Sequence, residues 1–447
     1  MDPTVGTGGE YGSGKQVSRR MVLRNMAAAG LVLGTGRSAL SALDLGSVVK
    51  SPQMRYPNTG VGITGWTWQG GEPYVDVLQS DFSLFQKSHA GDTLNLQSVG
   101  YTDYFTKFQT AWAGGAPPDF LEMAWSGQYV SLIRAGALQP LDDVLATGFP
   151  PFFPNVASTL KFFGHTYGMA MDVNNLTIGY NKKIFAKLGL SVPKTHAELV
   201  ALSGPLQKAG YQGLAVGLAD AWPAGDMWFA QMAYEAPMNQ AIPMAEEGKM
   251  SWTAAPFVAA AQRAQQLKPL LSSSASALTS TDGITLFAQE KAAMFYPIGN
   301  FFTPLVTQQN PNLDYDIFPF PPPSASTPPR ATGGAAVIFS APTKSTKLSV
   351  VADYLRTVMS PAGLEILVKD GYFPATPAAN ISQNSSHLYR RQGSYQATAA
   401  TRAIFLPKTY AALLSGMQAL LGGSGTPQDV VNGMEAAAKS EPSVAQR

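Results

Sequence analysis

Stretches typical of strands alternate with stretches whose hydrophobic residues have helical spacing between residues 61 and 136. Val61–Trp66 has the composition of a strand, whereas Tyr101–Trp112 places its aromatic side chains three and four residues apart, which is helical spacing. Gly114-Gly115 ends this helix, and Asp119–Ala124 is again typical of a strand. Strands that alternate with helices predict an α/β layered fold, with Trp112 on an apolar helix face and therefore in the core.

Later segments continue the same pattern. Pro256–Leu271 and Val350–Met359 are predicted to be helices. A further helix is predicted to begin at Thr426-Pro427-Gln428-Asp429, because Thr is a good N-cap, Pro suits the first turn and an acid suits the third position. The sequence contains no internal repeat.

Charge and residue usage exclude several classes of function. The chain has 447 residues, which suggests two domains or lobes at roughly 100–200 residues each. Without residues 1–42 it carries 26 basic and 27 acidic residues, a balance unsuited to nucleic acid, whose phosphates require clustered Lys and Arg. The absence of cysteine excludes disulfides, thiol nucleophiles and thiolate metal sites. The four histidines are widely spaced and expected at surface or capping positions, so we expect no cofactor and no metal.

The N-terminal segment has the features of an export address. Ser18-Arg19-Arg20-Met21-Val22-Leu23 resembles the twin-arginine signal, and the apolar stretch after it is shorter than the about 20 residues that span a bilayer. We expect residues 1–42 to be a signal peptide that the twin-arginine translocase recognises through Arg19 and Arg20, and residues 43–57 to be a linker. The alternative is a disordered basic tail on a cytoplasmic protein.

Four motifs occur in a characteristic order from residue 101 onward. They include Gly115-Ala116-Pro117-Pro118-Asp119 and Ala135–Asp143 in the first, and Tyr180-Asn181-Lys182 in the second; the third spans Phe287–Gly299 and the fourth Ser360–Ala375. Together they resemble the family 1 extracellular solute-binding proteins of ABC importers, relatives of maltose-binding protein. The sequence departs from the family pattern where His196, Ala170, Glu290 and Phe301 replace the usual Trp, Pro, Gly and Trp.

The resemblance implies a fold of the α/β class, namely the two-lobed, type II periplasmic-binding-protein-like fold with hinge crossovers. The first lobe would comprise residues 58–172 plus 337–378, and the second residues 177–332 plus 382–447. The chain would cross near Asp172–Thr177, Gly333–Val337 and Ala378–Ser382. A soluble, monomeric protein at the periplasmic or extracellular face of the cell is expected, and the lack of cysteine excludes a lipoprotein anchor.

Ligands of open α/β folds bind beyond the carboxyl ends of strands, which indicates the loops that form the site. Aromatic rings supply contact area for the apolar faces of a sugar, and amides, hydroxyls and carboxylates bond its hydroxyl groups. For Asp220 the alternative role is a helix N-cap, and for Gly333-Gly334 it is a hinge. The candidate ligand-binding residues are Trp68, Gln69, Ser98, Tyr101, Trp125, Ser126, Asp172, Asn174, Asp220, Trp222, Asn300, Phe301 and Gly334.

The resemblance therefore predicts a protein that is not an enzyme: the extracytoplasmic component of an ABC importer, which binds a mono- or oligosaccharide by closure of two lobes and delivers it to the permease subunits. A secreted glycan-active hydrolase is the first alternative, with Asp172 and Asp220 as its two carboxylates. The second is a binding protein of the same fold for a polyamine or a glycerol phosphate ester. The candidate loops lack the several acids or the Lys and Arg that those solutes require.

Overall fold

The structure is a computed structural model that describes residues 60–68, 74–123, 127–299, 302–379, 387–396, 398–401 and 406–441. The predicted signal peptide with Arg19 and Arg20, and the predicted linker, lie outside the described residues. No helix among the described residues is long and apolar enough to cross a membrane.

The strands are β1 (Gly62–Thr67), β2 (Thr93–Ser98), β3 (Phe120–Met123), β4 (Lys161–Phe162), β5 (His165–Thr166), β6 (Met169–Ala170), β7 (Thr177–Asn181), β8 (Gln212–Val216), β9 (Ala292–Ile298), β10 (Tyr315–Phe318), β11 (Thr332–Gly333), β12 (Ile338–Ser340) and β13 (Ala400–Thr401).

The helices are α1 (Tyr74–Phe85), α2 (Tyr101–Ala113), α3 (Gly127–Arg134), α4 (Asp142–Leu145), α5 (Pro154–Ala157), α6 (Lys182–Lys187), α7 (His196–Ala201), α8 (Ser203–Lys208), α9 (Trp222–Met232), α10 (Met238–Glu246), α11 (Ala255–Gln265), α12 (Ser280–Ala288), α13 (Phe302–Gln309), α14 (Leu348–Val358), α15 (Pro361–Lys369), α16 (His387–Gln396), α17 (Pro407–Gly422) and α18 (Pro427–Lys439).

The first sheet has the strand order β2-β1-β3-β12-β6. β1 lies parallel to both β2 and β3, whereas β12 is antiparallel to β3 and β6. Helices α1, α14 and α15 cover one face, where Phe82, Phe85 and Tyr354 pack ring against ring. Glycine is required at Gly65, because a Cβ there would lie 2.3 Å from the Phe120 ring.

The second sheet has the strand order β10-β7-β9-β8 and is built from later parts of the chain. β8 is parallel to β9, and β7 is antiparallel to β9 and β10. Every residue of β9 is buried, as expected for a central strand covered on both faces. The adjoining core contains α9 and the fully buried rings of Trp228, Trp252 and Phe257.

The chain passes between the two sheets through paired extended segments. Isolated bridges join Asp172 to Pro374, Val173 to Ala335 and Leu176 to Thr332. Helix α16 contacts both sides of this junction: the Tyr389 ring packs at a tilt against Phe373 beside the first sheet, with ring centroids 5.3 Å apart. On the other side, the Tyr395 hydroxyl donates to the Ile317 carbonyl at 3.2 Å, in the second sheet.

Local helix signals were mostly correct. Thr426 and Asp429 form the predicted capping box of α18, with Pro427 in the first turn. The helix predicted for Pro256–Leu271 is shorter than expected: it ends at Gln265, and a 3₁₀ turn follows at Lys268–Leu270. Pro269 explains the break, because it has no N–H to continue the helical hydrogen bonds.

The predicted positions of Trp112 and His196 are each corrected by the structure. Trp112 packs against the core but is only half-buried; its indole N–H donates to Thr343 Oγ1 at 3.1 Å, and the Lys344 ammonium lies 4.9 Å from its ring centroid. His196 was expected at a surface or capping position, but it is buried and Thr195 is the N-cap of its helix; burial together with Arg263 lowers the pKa of His196 to about 4. Both corrections concern contacts with residues distant in sequence, which local periodicity does not report.

Candidate ligand-binding site

The carboxyl ends of β1 and β2 lie side by side in the first sheet. The two strands are parallel, and Thr67 pairs directly with Ser98. Trp68 follows β1, is half-buried and packs on the aromatic core beneath the sheet. Tyr101 begins α2, one short loop after β2. The structure therefore brings Trp68 and Ser98 to one edge, while Gln69, Trp125 and Ser126, and the side chain of Tyr101, lie outside the described residues.

A buried polar cluster lies directly under this edge, and sequence reasoning missed it. Glu122 in β3 is completely buried and accepts a short hydrogen bond from the Thr67 hydroxyl. The Tyr104 hydroxyl lies 2.8 Å from the Glu122 carbonyl and 3.0 Å from the Trp66 carbonyl, and burial raises the pKa of Tyr104, so it remains a donor. The sequence feature that could have revealed this cluster is Glu122, the single charged residue within the apolar run Phe120–Met123.

The second sheet presents an equivalent edge. Because β8 and β9 are parallel, the loop after Val216 and the loop after Ile298 leave the sheet on the same side. Trp222, at the start of α9, is half-buried and stacks on Phe302, with ring centroids 5.8 Å apart and an interplanar angle of 6°. Phe302 was not predicted, although it directly follows the predicted residues Asn300 and Phe301, which lie outside the described part.

Asn174 lies in a segment that connects the two sheets. Its side-chain oxygen occupies the space beside Gly299, where a Cβ would lie only 2.0 Å from Oδ1. Its backbone N–H donates to the Gly334 carbonyl at 3.2 Å. A Cβ at Gly333 would lie 2.5 Å from the Asn174 carbonyl oxygen and 2.5 Å from Asn175 Oδ1, so Gly333 permits two crossing segments to approach closely.

The two acidic residues of the predicted site are both buried and accept hydrogen bonds from backbone N–H groups. Asp172 is 2% exposed, and its Oδ1 accepts the Val337 N–H at 3.0 Å, which joins two crossing segments. Asp220 is 6% exposed, and its Oδ2 accepts the Ser280 N–H at 2.6 Å at the start of α12. Burial raises the pKa of Asp220, and the hydrogen bonds from Ser280 partly oppose this rise. Asp220 thus stabilises the start of α12 and not the helix that follows it in sequence.

The described site residues combine aromatic area with uncharged polar groups. Trp68, Ser98, Asn174 and Trp222 carry no formal charge, and the nearby carboxylates are almost covered. Such a surface suits a neutral, hydroxylated ligand with apolar faces. Among the residues that the structure describes, no group of three His, Asp or Glu side chains could hold a metal ion.

The sequence matches the family model described as "Bacterial extracellular solute-binding protein" over residues 67–365, which is well over half of the chain. The chain belongs to this family. An uncharacterised ABC transporter extracellular-binding protein from Pyrococcus horikoshii is 28% identical over 166 residues, covering 36% of this chain and 37% of that protein. The match therefore spans little more than a third of that relative's length.

Solved structures of solute-binding proteins superpose on most of the chain. A chitin oligosaccharide binding protein gives a TM-score of 0.73 at 21% identity, covering 85% of this chain and 98% of that protein. The bacterial solute receptor AcbH, which prefers β-D-galactopyranose, gives a TM-score of 0.71 at 18% identity, covering 86% and 98%. These matches confirm the predicted fold: this solute-binding protein has the two-lobed α/β architecture of type II.

Proposed function

We propose that this solute-binding protein captures a neutral sugar outside the cytoplasm and delivers it to the permease subunits of an ABC importer. One observation carries the proposal. The half-buried rings of Trp68 and Trp222 follow parallel strands in two different sheets, and Asn174 lies in a chain segment that connects those sheets. The two superposed proteins bind a sugar oligomer and a monosaccharide, which supports this class of ligand.

Binding by closure follows from a site divided between two lobes. We assign residues 58–172 plus 337–378 to one lobe and 177–332 plus 382–447 to the other. A solute that contacts Trp68 on one lobe and Trp222 on the other stabilises the closed arrangement by the contacts it gains with the second face. The importer then has a distinct conformation to recognise, and no covalent step is needed.

The burial of the two carboxylates favours binding over hydrolysis. A glycosidase needs two carboxyl groups that flank a substrate bond. Asp172 and Asp220 are nearly covered and already accept backbone N–H groups, so they are poorly placed for this role. A polyamine or a glycerol phosphate ester is also disfavoured, since the described site residues offer neither exposed acids nor Lys and Arg.

The route to the cell exterior completes the proposal. A twin-arginine signal at residues 1–42 would direct the folded chain to the twin-arginine translocase, and the lack of cysteine leaves no residue for a lipid anchor. The mature chain would then act as a monomer at the periplasmic or extracellular face.

A thermal-shift screen of residues 43–447 tests the function directly. The probes are galactose, raffinose and chitin oligosaccharides, with spermidine and glycerol 3-phosphate as non-sugar solutes. A ligand at 100 times its Kd adds about 2.7 kcal/mol to the free energy of unfolding. We expect at least one sugar to raise the Tm, and calorimetry to give its Kd without product formation. A response only to spermidine or glycerol phosphate would refute the sugar assignment, and release of shorter glycans would indicate a hydrolase.

A further inference from the structure

A strained backbone turn precedes Trp222. Three non-glycine residues in the described part have positive φ: Phe163 (52°), Ala221 (62°) and Glu290 (59°). Phe163 lies at the tip of the β4–β5 hairpin and Glu290 follows Gln289, the C-cap of α12, and both are places where a left-handed residue is common. Ala221 differs, because its ψ of −48° lies outside the left-handed helical region.

The surrounding structure prevents this turn from relaxing. On one side, the Ala219 N–H donates to the Leu278 carbonyl at 2.9 Å, and the Asp220 carboxylate holds the Ser280 N–H. On the other side, the Ala221 carbonyl accepts the Ala224 N–H at 3.1 Å, and α9 is buried throughout from its second residue. Ala221 must join two fixed segments, and its unfavourable dihedral angles are the consequence.

The turn has a specific effect on one side chain. Trp222 is the residue of α9 that is not fully buried, and its ring lies flat against Phe302 at the edge of the second sheet. An ordinary N-cap residue has extended dihedral angles, so a relaxed Ala221 would change the direction between the fixed loop and Trp222. Because the burial of α9 begins only at Pro223, the turn is what holds the Trp222 ring against Phe302.

We propose that Ala221 is a positioning residue for the solute site, whose strained turn holds the Trp222 ring in its binding orientation before the solute arrives. The role of Trp222 as a ligand contact rests on the proposed function, whereas the orientation of its ring does not. The fold tolerates the strain because neighbouring hydrogen bonds and the buried α9 fix both sides of the turn. Preorganisation of this kind reduces the cost of binding.

Two substitutions with opposite steric demands test the proposal. Ala221→Gly permits the same dihedral angles without strain, so we expect its Tm to rise by about 1–3 °C. Ala221→Val disfavours positive φ, so we expect the ring to leave Phe302 and sugar affinity to fall by about tenfold. Ala219→Val is the matched control: it adds the same bulk in the same loop at a residue without positive φ, and its affinity should stay unchanged.

A readout without ligand separates this proposal from the proposed function. The fluorescence of Trp222 is isolated by subtracting the spectrum of the corresponding Trp222→Phe variant. In Ala221→Val, acrylamide should quench this signal more strongly than in wild type, whether or not any sugar binds. Unchanged quenching and affinity in Ala221→Val would overturn the proposal. If that variant does not fold, a lower Tm in Ala221→Gly than in wild type would overturn it as well, because it would show that the turn holds no strain.

Discussion

The buried carboxyl group of Asp81, in a helix that packs on the first sheet, should make the free energy of unfolding depend on pH. Asp81 lies in α1, is 0% exposed, and no described donor lies within hydrogen-bond distance of either carboxylate oxygen. Burial raises its pKa from 3.8 to about 8, and the negative charge of Asp370 adds to the rise. The carboxyl group is therefore mostly protonated in the folded protein at neutral pH, whereas it is ionised when the chain unfolds.

The sign of the effect follows from the raised pKa. The contribution of Asp81 to stability is complete below its ordinary value of 3.8 and is lost progressively as the pH rises to about 8. Between about pH 4 and pH 7 this one group removes about 4 kcal/mol of the free energy of unfolding, since each pKa unit corresponds to about 1.4 kcal/mol. An uncharged residue at the same position avoids this loss.

The substitution Asp81→Asn is the appropriate perturbation, because it keeps the shape and removes the ionisation. Urea unfolding of residues 43–447 without ligand gives the free energy of unfolding at about pH 4 and about pH 7. We expect the Asn variant to exceed wild type by about 2–4 kcal/mol at the higher pH and to equal it within about 1 kcal/mol at the lower pH. Glu246, whose pKa burial raises to about 7, contributes equally to both proteins and cancels in the difference.

Asp76→Asn is the matched control, since Asp76 lies on the same helix but is exposed. It should change stability by less than about 1 kcal/mol at either pH. The reasoning fails if the stability difference between Asp81→Asn and wild type is the same at both pH values, or if the variant is the less stable protein at neutral pH.

Three further predictions concern the site and its delivery. Trp68→Ala and Trp222→Ala should each weaken sugar binding by about 1–3 kcal/mol in calorimetric titration, whereas Trp112→Ala should lower the Tm and leave affinity unchanged; unaltered Kd values in both ring variants would remove these residues from the site. Small-angle scattering should give a smaller radius of gyration with sugar than without, and tight binding at constant radius would contradict lobe closure. Replacing Arg19 and Arg20 together by Lys should retain the protein in the cytoplasm, and normal export in cell fractionation would disprove the twin-arginine assignment.

Features that depend on neighbouring residues were predictable. The strand at β1, the aromatic helix α2 and the capping box at Thr426 follow from periodicity and local hydrogen-bonding groups, and the structure contains all three. The family resemblance was also visible, because its motifs are short, ordered along the chain and partly made of turn residues such as Gly115 and Pro118. The position of the site loops, beyond the carboxyl ends of the strands, followed from the alternation of strands and helices that is typical of an α/β fold.

The state of individual side chains depended on contacts between distant segments. The Asp220 carboxylate accepts the N–H of Ser280, 60 positions away, and the Asp172 carboxylate accepts the N–H of Val337, 165 positions away. Neither partner lies in the local pattern that suggested two available carboxylates. The stacking of Trp222 on Phe302 likewise arises only because β8 and β9 are neighbours in the sheet.

The sequence alone thus determined the order of helices and strands, the family and the loops in which to look, because these depend on residue types at short separation. Only the tertiary structure decided which of those loop residues remain accessible to a ligand. Burial and hydrogen bonding are properties of the packed chain: they buried the carboxyl groups of Asp172 and Asp220, left Trp222 half-exposed and imposed the strained turn at Ala221.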